Sequence, residues 1–142
     1  LVTTRAMDHD YTTNEDEQRA AMEAAISDTE QEYTIIMHDN DAIGYIRINW
    51  MDTEHTKAWL RFALGTMRGN GYTEIALRQY LRSLQKEGCL RVEAEVYATN
   101  IASQKILKKL GFLVEGQKRK AHYTGTEHID VFVYGLLMDE LR

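Results

Sequence analysis

The residues with the clearest chemical meaning are Arg68-Gly69-Asn70-Gly71-Tyr72-Thr73. A hydrophobic strand pattern from Ala58 to Gly65 runs into them. A helical pattern with Tyr72, Ile75, Ala76, Tyr80 and Leu84 runs out. The first turn of a helix leaves backbone N–H groups without partners, and the helix dipole adds positive potential at that end. Glycines permit φ > 0 and let a ligand approach the main chain closely. Strand, glycine turn and helix start, in that order, suit a phosphate or pyrophosphate. The plainer alternative is a tight turn that only connects two elements. Two phosphate motifs do not fit. The G-x-x-x-x-G-K-[ST] loop needs a lysine that does not follow Gly71, and G-x-G-x-x-G needs a third glycine where Glu74 stands.

A second set of polar residues begins at Asn100. It reads as the cap of a helix over 101–110, with Ser103, Ile106, Leu107 and Leu110 as the inward face. A buried hydroxyl without a partner costs about 1–3 kcal/mol. Ser103 therefore either bonds back to a carbonyl one turn earlier or meets a ligand at the helix start. Asn100 is a cap, or a cap and a ligand contact. His122 and His128 are expected to face each other across a hairpin centred on Gly125. Two histidines without a carboxylate at ligand spacing do not make a metal site, and none is expected. The single cysteine, Cys89, excludes an internal disulfide and reads as a buried strand start. Tyr45, Trp50, Trp59 and Tyr97 read as core residues or as lining of an acceptor pocket.

These residues must be positioned by a small scaffold. The 142 residues predict one domain, 1–142, and at 44% hydrophobic can bury a real core. No apolar run reaches the roughly 20 residues of a membrane span, and no signal peptide pattern opens the chain. With one cysteine, a reducing cytoplasm is the expected location. The net charge of −5 argues against a nucleic-acid partner and suits a cationic, amine-bearing substrate. Residues 1–13 show no clear period. A helix is predicted from Asn14 to about Ile26. Strands over 32–38, 42–51 and 57–64 read as an antiparallel meander. A helix over 72–87 stops at Gly88. Leu90 to Tyr97 alternates, with Val92, Ala94 and Val96 on one face. Gly111 ends the helix 101–110, and strands over about 112–122 and 127–138 flank Thr124-Gly125-Thr126.

Five ordered pieces carry a resemblance. They are the 68–72 turn, Arg91-Val92-Glu93-Ala94-Glu95-Val96, Asn100-x-x-Ser103, Lys109-Leu110-Gly111-Phe112-x-x-Glu115-Gly116, and Asp130 with Tyr134-Gly135-Leu136-Leu137. Over residues 32–138 the chain resembles the GNAT superfamily of acyl-CoA-dependent N-acetyltransferases, most of all its RimJ/RimL-type branch. The resemblance implies a mixed α/β (α+β) fold. Its central, mostly antiparallel sheet has splayed middle strands flanked by helices. Members usually begin with another strand and helix, and this chain starts too late to show them fully. Either they are trimmed or residues 1–13 do the job differently. The signature Q/R-x-x-G-x-G/A ends here in Thr73, whose side chain would crowd the cradle.

The resemblance also implies roles. Acetyl-CoA is the co-substrate. Phe62, Ala63 and Leu64 offer backbone groups to pantetheine. Arg68, Gly69, Asn70, Gly71, Tyr72 and Thr73 hold the pyrophosphate. Asn100 and Ser103 lie beside the thiol end, and Lys105 lies near the nucleotide's phosphates. Many members place a tyrosine general acid where this chain has Leu107, and the RimJ/RimL-type branch points instead to Ser103. His122 is the first candidate base, because an imidazole titrates near neutral pH. Glu95 and Glu93 are runners-up, acting through water. The implied reaction moves acetyl from acetyl-CoA to a primary amine on a protein N-terminus, a polyamine or an amino sugar. A non-catalytic acyl-CoA-binding sensor or partner module is the alternative, and a nucleotide-binding protein of another class is a third. Homodimers are frequent among such proteins.

Overall fold

The computed structural model describes residues 2–5, 31–64 and 71–142, with the backbone alone at residues 2–5 and 64. The strands are β1 (Val2–Arg5), β2 (Gln31–His38), β3 (Asp41–Trp50), β4 (Lys57–Leu64), β5 (Arg91–Tyr97), β6 (Leu113–Tyr123) and β7 (His128–Leu137). The helices are α1 (Tyr72–Lys86) and α2 (Ile101–Leu110), and a 3-10 turn, Met138–Glu140, follows β7. The strands form one seven-stranded sheet in the order β1-β2-β3-β4-β5-β7-β6. Only β4 and β5 pair in parallel, with α1 as the crossover.

Of the two alternatives for the start of the chain, β1 puts a first strand within residues 1–13: Val2 to Arg5 pair antiparallel with Met37 to Thr34. Four residues are too few to show a period. The predicted helix from Asn14 to Ile26 lies outside the described residues, as do Arg68, Gly69 and Asn70.

Both helices cover one face of the sheet. Ile46 and Ile48 of β3, Leu60 of β4, Val92 and Ala94 of β5, and Tyr134 and Leu136 of β7 join Leu77, Leu81 and Leu84 of α1 and Leu107 and Leu110 of α2 in one buried cluster. Each buried Val, Ile or Leu side chain among them contributes roughly 1.5–3 kcal/mol by leaving water. The stripe of α1 that faces this core is Thr73, Ala76, Leu77, Tyr80, Leu81 and Leu84. Ile75, expected inside, is exposed. Thr73 heads the core-facing stripe and is itself buried.

The opposite face carries the alternate residues, because successive side chains along a strand point to opposite sides. Register places Arg47 opposite Arg61, Trp59 opposite Glu93, Glu95 opposite Val133 and Tyr97 opposite Val131. Arg47, Trp59, Arg61, Glu93, Glu95 and Tyr97 therefore share the side away from α1 and α2.

Gly111 ends α2 at φ 107, a left-handed conformation that glycine adopts without strain. A Cβ there would collide with the backbone carbonyl oxygen of Glu140. The chain end is tied to the helices by Arg142 N–H donating to Leu110 O at 3.0 Å and Gln85 Nε2 donating to Met138 O at 2.8 Å.

Candidate active site

The site begins where β4 and β5 part. Their parallel ladder runs from Lys57 and Arg91 to Leu60 and Ala94 and stops there. Past it, β4 stays paired with β3 as far as Leu64 opposite Gly44, and β5 stays paired with β7 as far as Tyr97 opposite Val131. Each strand keeps one neighbour and turns a bare backbone edge towards the other. Such an edge presents unpaired N–H and C=O groups. A cavity of about 410 Å³ fills the gap.

Side chains reach this cavity from both faces of the sheet. On the helix side, Asn100 and Ser103 at the start of α2 line it, together with Phe62 and Val96. Asn100 caps α2: its Oδ1 accepts the Ser103 N–H at 3.2 Å. On the other side Trp59, Arg61, Glu95, Tyr97, Lys118 and His122 line it.

His122 is brought in by an irregularity in β6. Register jumps between Lys118, opposite Val131, and His122, opposite Ile129. Asp130 holds the extra residues: its Oδ1 accepts the Lys120 N–H at 2.8 Å and its Oδ2 accepts from Gln117 Nε2 at 2.6 Å. The Lys120 N–H, with Gln117 second, holds the Asp130 carboxyl below the usual aspartate range. Lys120 itself sits at φ 51. The His122 ring stacks on Tyr97, centroids 4.1 Å apart and planes 13° off parallel.

His122 and His128 do not face each other. Tyr123, not His122, is opposite His128, and the pleat sends neighbouring residues to opposite sides. Among the described residues no group of three His, Cys, Asp or Glu is placed to hold a metal.

Of the residues singled out from sequence, His122, Ser103, Glu95, Asn100 and Phe62 line this one cavity, as do Trp59 and Tyr97, which were read as core or as acceptor-pocket lining. Lys118 Nζ donates to Glu95 Oε1. Glu93 does not line the cavity and instead accepts from Arg91 Nη2 at 3.0 Å. Arg91 also grips Glu115 with both terminal nitrogens, and those bonds first of all keep its guanidinium protonated and hold the Glu115 carboxyl below the usual range. Lys105 is exposed on α2. Gly71 is the N-cap of α1 at φ 77, and among the described residues no side chain caps that helix. Tyr72, next to it, has its ring 4.6 Å from that of His38.

Ser103 is half-buried, and the inward polar residue of α2 is Gln104. Its Nε2 donates to Ala98 O at 3.1 Å and Tyr97 O at 3.4 Å, and its Oε1 accepts from the Tyr134 hydroxyl at 2.9 Å. One amide thus ties α2 to the end of β5 and to β7. Sequence periodicity missed it, because Gln104 falls one position from the expected stripe. Lys118 and Arg61 were also not assigned as lining residues, since strand register alone brings them to the gap. Cys89 is buried beside the start of β5, and burial pushes its thiol up.

The GNAT acetyltransferase domain model matches residues 2–113. The chain is 26% identical over 126 residues to the SPbeta prophage-derived uncharacterized N-acetyltransferase YokL of Bacillus subtilis (strain 168), covering 87% of this chain and 71% of that one. It is 30% identical over 111 residues to the uncharacterized N-acetyltransferase p20 of Bacillus licheniformis, covering 76% of this chain and 62% of the relative. Its fold matches that of RimL, a ribosomal L7/L12 alpha-N-protein acetyltransferase in complex with coenzyme A. The TM-score is 0.82 at 20% identity, over 90% of this chain and 75% of that one. A parallel β4–β5 pair that opens into a cavity, and a family model matched along residues 2–113, agree that this chain belongs to the GNAT acetyltransferase family.

Proposed function

We propose that the chain moves an acetyl group from acetyl-CoA to a primary amine by direct attack in a ternary complex, as a RimJ/RimL-like enzyme built on the single unit 1–142. The observation that carries this reading is the parting of β4 from β5 past Leu60 and Ala94, with Ser103 on one side of the gap and His122 on the other. An extended thioester arm fits between two strands that each lack a neighbour on the side of the gap. Phe62, Ala63 and Leu64 offer it backbone groups. The uncapped first turn of α1 at Gly71, Tyr72 and Thr73, with Arg68, Gly69 and Asn70, suits its diphosphate. Lys105 is assigned to the nucleotide phosphates.

Bound acetyl-CoA supplies the acyl group and a sulfur leaving group. The chain's own residues do the rest. His122 accepts the proton that the amine nitrogen loses as it attacks, a role worth typically 10²–10⁴-fold. A backbone N–H on the bare edge of β4 faces the carbonyl oxygen as charge grows there, worth on the order of 10²–10³. Ser103 donates a hydrogen bond to the departing sulfur, and the thiolate takes its proton through that hydroxyl as Ser103 recovers one from solvent. Glu95, engaged by Lys118, is the second candidate base. The acceptor classes are a protein N-terminus, a polyamine or an amino sugar, and a homodimer is the proposed assembly.

The test is thiol release from acetyl-CoA across a panel of amines, with calorimetry of CoA binding alongside. His122→Ala should lower kcat on the order of 10²–10⁴-fold and keep the CoA dissociation constant within a few-fold. Tight CoA binding with no amine acetylated would identify a binding module instead. Unchanged turnover in the variant would remove His122 from the reaction.

A further inference from the structure

From the charges on the acceptor side of the cavity we infer that the amine substrate carries an oxyanion, a carboxylate or a phosphate, close to its nitrogen. The inference rests on the acetyl-transfer reading and names the substrate class of that same site. The side of the sheet away from α1 and α2 contributes Arg61, Lys118 and His122 to the lining, and the one lining carboxylate there is Glu95. That count is of the described residues, and Glu95 is already matched by Lys118. Arg61 has no ion-pair partner among the described residues and leaves a whole positive charge on the wall. Behind it, Arg47 lies opposite Arg61 in register, with its guanidinium carbon 5.5 Å from the centroid of the Trp59 ring. The buried Arg47 Nε makes no hydrogen bond among the described residues.

This wall is unlike one built for a polyamine. A polyamine keeps further ammonium groups when one nitrogen reacts, and they need unpaired carboxylates or aromatic faces. Here the two aromatic rings on the described wall, Trp59 and Tyr97, are already engaged by the Arg47 guanidinium and the His122 ring, and the wall offers the Arg61 guanidinium and the His122 imidazole. A guanidinium matches the planar geometry of a carboxylate or phosphate and can bind it through two parallel N–H bonds. The overall charge of −5 pointed to a cationic substrate, but that total sums the whole surface, whereas the acceptor sees the few groups at the gap.

Matched substrate pairs test this on the whole protein. Phenylalanine is compared with phenylalaninamide, O-phosphoethanolamine with ethanolamine, and both pairs with spermidine, by thiol release. The anionic member of at least one pair should exceed its neutral partner in kcat/KM by roughly ten- to a hundredfold, and should exceed spermidine. The pair that responds tells carboxylate from phosphate. Arg61→Lys should keep most of the ratio, and Arg61→Glu should bring it to one or below. A loss of equal size for both members of a pair would mean a merely structural Arg61 and overturn the inference. So would equal rates within both pairs, or spermidine ahead of both anions. If no amine is acetylated, calorimetry of phenylalanine and of O-phosphoethanolamine onto the CoA complex separates the two readings. A binding signal lost in Arg61→Glu would sustain the anion site while the acetyl-transfer reading falls. No signal from either would sink both.

Discussion

Gln104 is the strongest internal test of how the site is held. Tyr134 is fully buried, and its hydroxyl donates to Gln104 Oε1 at 2.9 Å, while Gln104 Nε2 holds the Ala98 and Tyr97 carbonyls. Burial raises the Tyr134 hydroxyl above the ordinary tyrosine range, so the donor keeps its proton throughout the neutral region. Tyr134→Phe removes the donor and leaves a buried amide oxygen unmatched, at a cost of about 1–3 kcal/mol. Globular chains unfold with an entropy of about 2.1 cal/mol/K per residue, so over this chain 1 kcal/mol shifts Tm by about 3 °C. The expected drop is therefore about 3–10 °C.

Gln104→Leu should cost at least as much, because it also releases the Ala98 carbonyl. The double variant should cost less than the sum, with a coupling of about 1 kcal/mol or more, since it removes both ends of one bond. Thermal and denaturant unfolding of the four proteins reads this cycle. Additivity within about 0.5 kcal/mol would show that the two groups do not share a bond that matters. A Tyr134→Phe protein melting within about a degree of the parent would refute the claim that the unmatched oxygen is costly.

Two further outcomes follow from the geometry. Gly111→Ala places a Cβ against the Glu140 carbonyl at a φ of 107 and should lower stability by about 1–3 kcal/mol, read by denaturant melts, with no change expected in the slope m. Arg91 holds the Glu115 carboxyl below its ordinary value of 4.5, so the stability it adds is whole above that pH and is lost as the pH falls through the lower folded value. Glu115→Gln should flatten the decline of stability below about pH 4.5 while changing little of its slope between pH 6 and 8, and because the pair is partly exposed the effect is at most about 1 kcal/mol.

Local chemistry made much of the scaffold legible. The alternation of Val92, Ala94 and Val96, the Asn100 cap and the Gly111 stop each follow from the needs of a few neighbouring backbone groups, and all three stand where the pattern put them. The meander over β2, β3 and β4 was legible for the same reason, and the order of the five motif pieces carried the family. β1 was not legible, because its four residues gain their meaning only by pairing with β2. The inward face of α2 was read with Ser103 among the buried positions, where Gln104 stands instead. A helix can be rotated by one residue with little change in its apolar stripe, and the sheet beneath decides which polar group goes inside.

The amino-acid order by itself determined where strands and helices run and which loops break them, because those choices depend on contacts within a few residues. Only the tertiary structure decided where β4 and β5 separate, after four paired positions, that His122 stacks on Tyr97 rather than meeting His128, and that a chain of net negative charge turns Arg61, Lys118 and His122 to its cavity. Each of those depends on strand register and on the pleat, which set the face a side chain takes only once a neighbouring strand has been chosen.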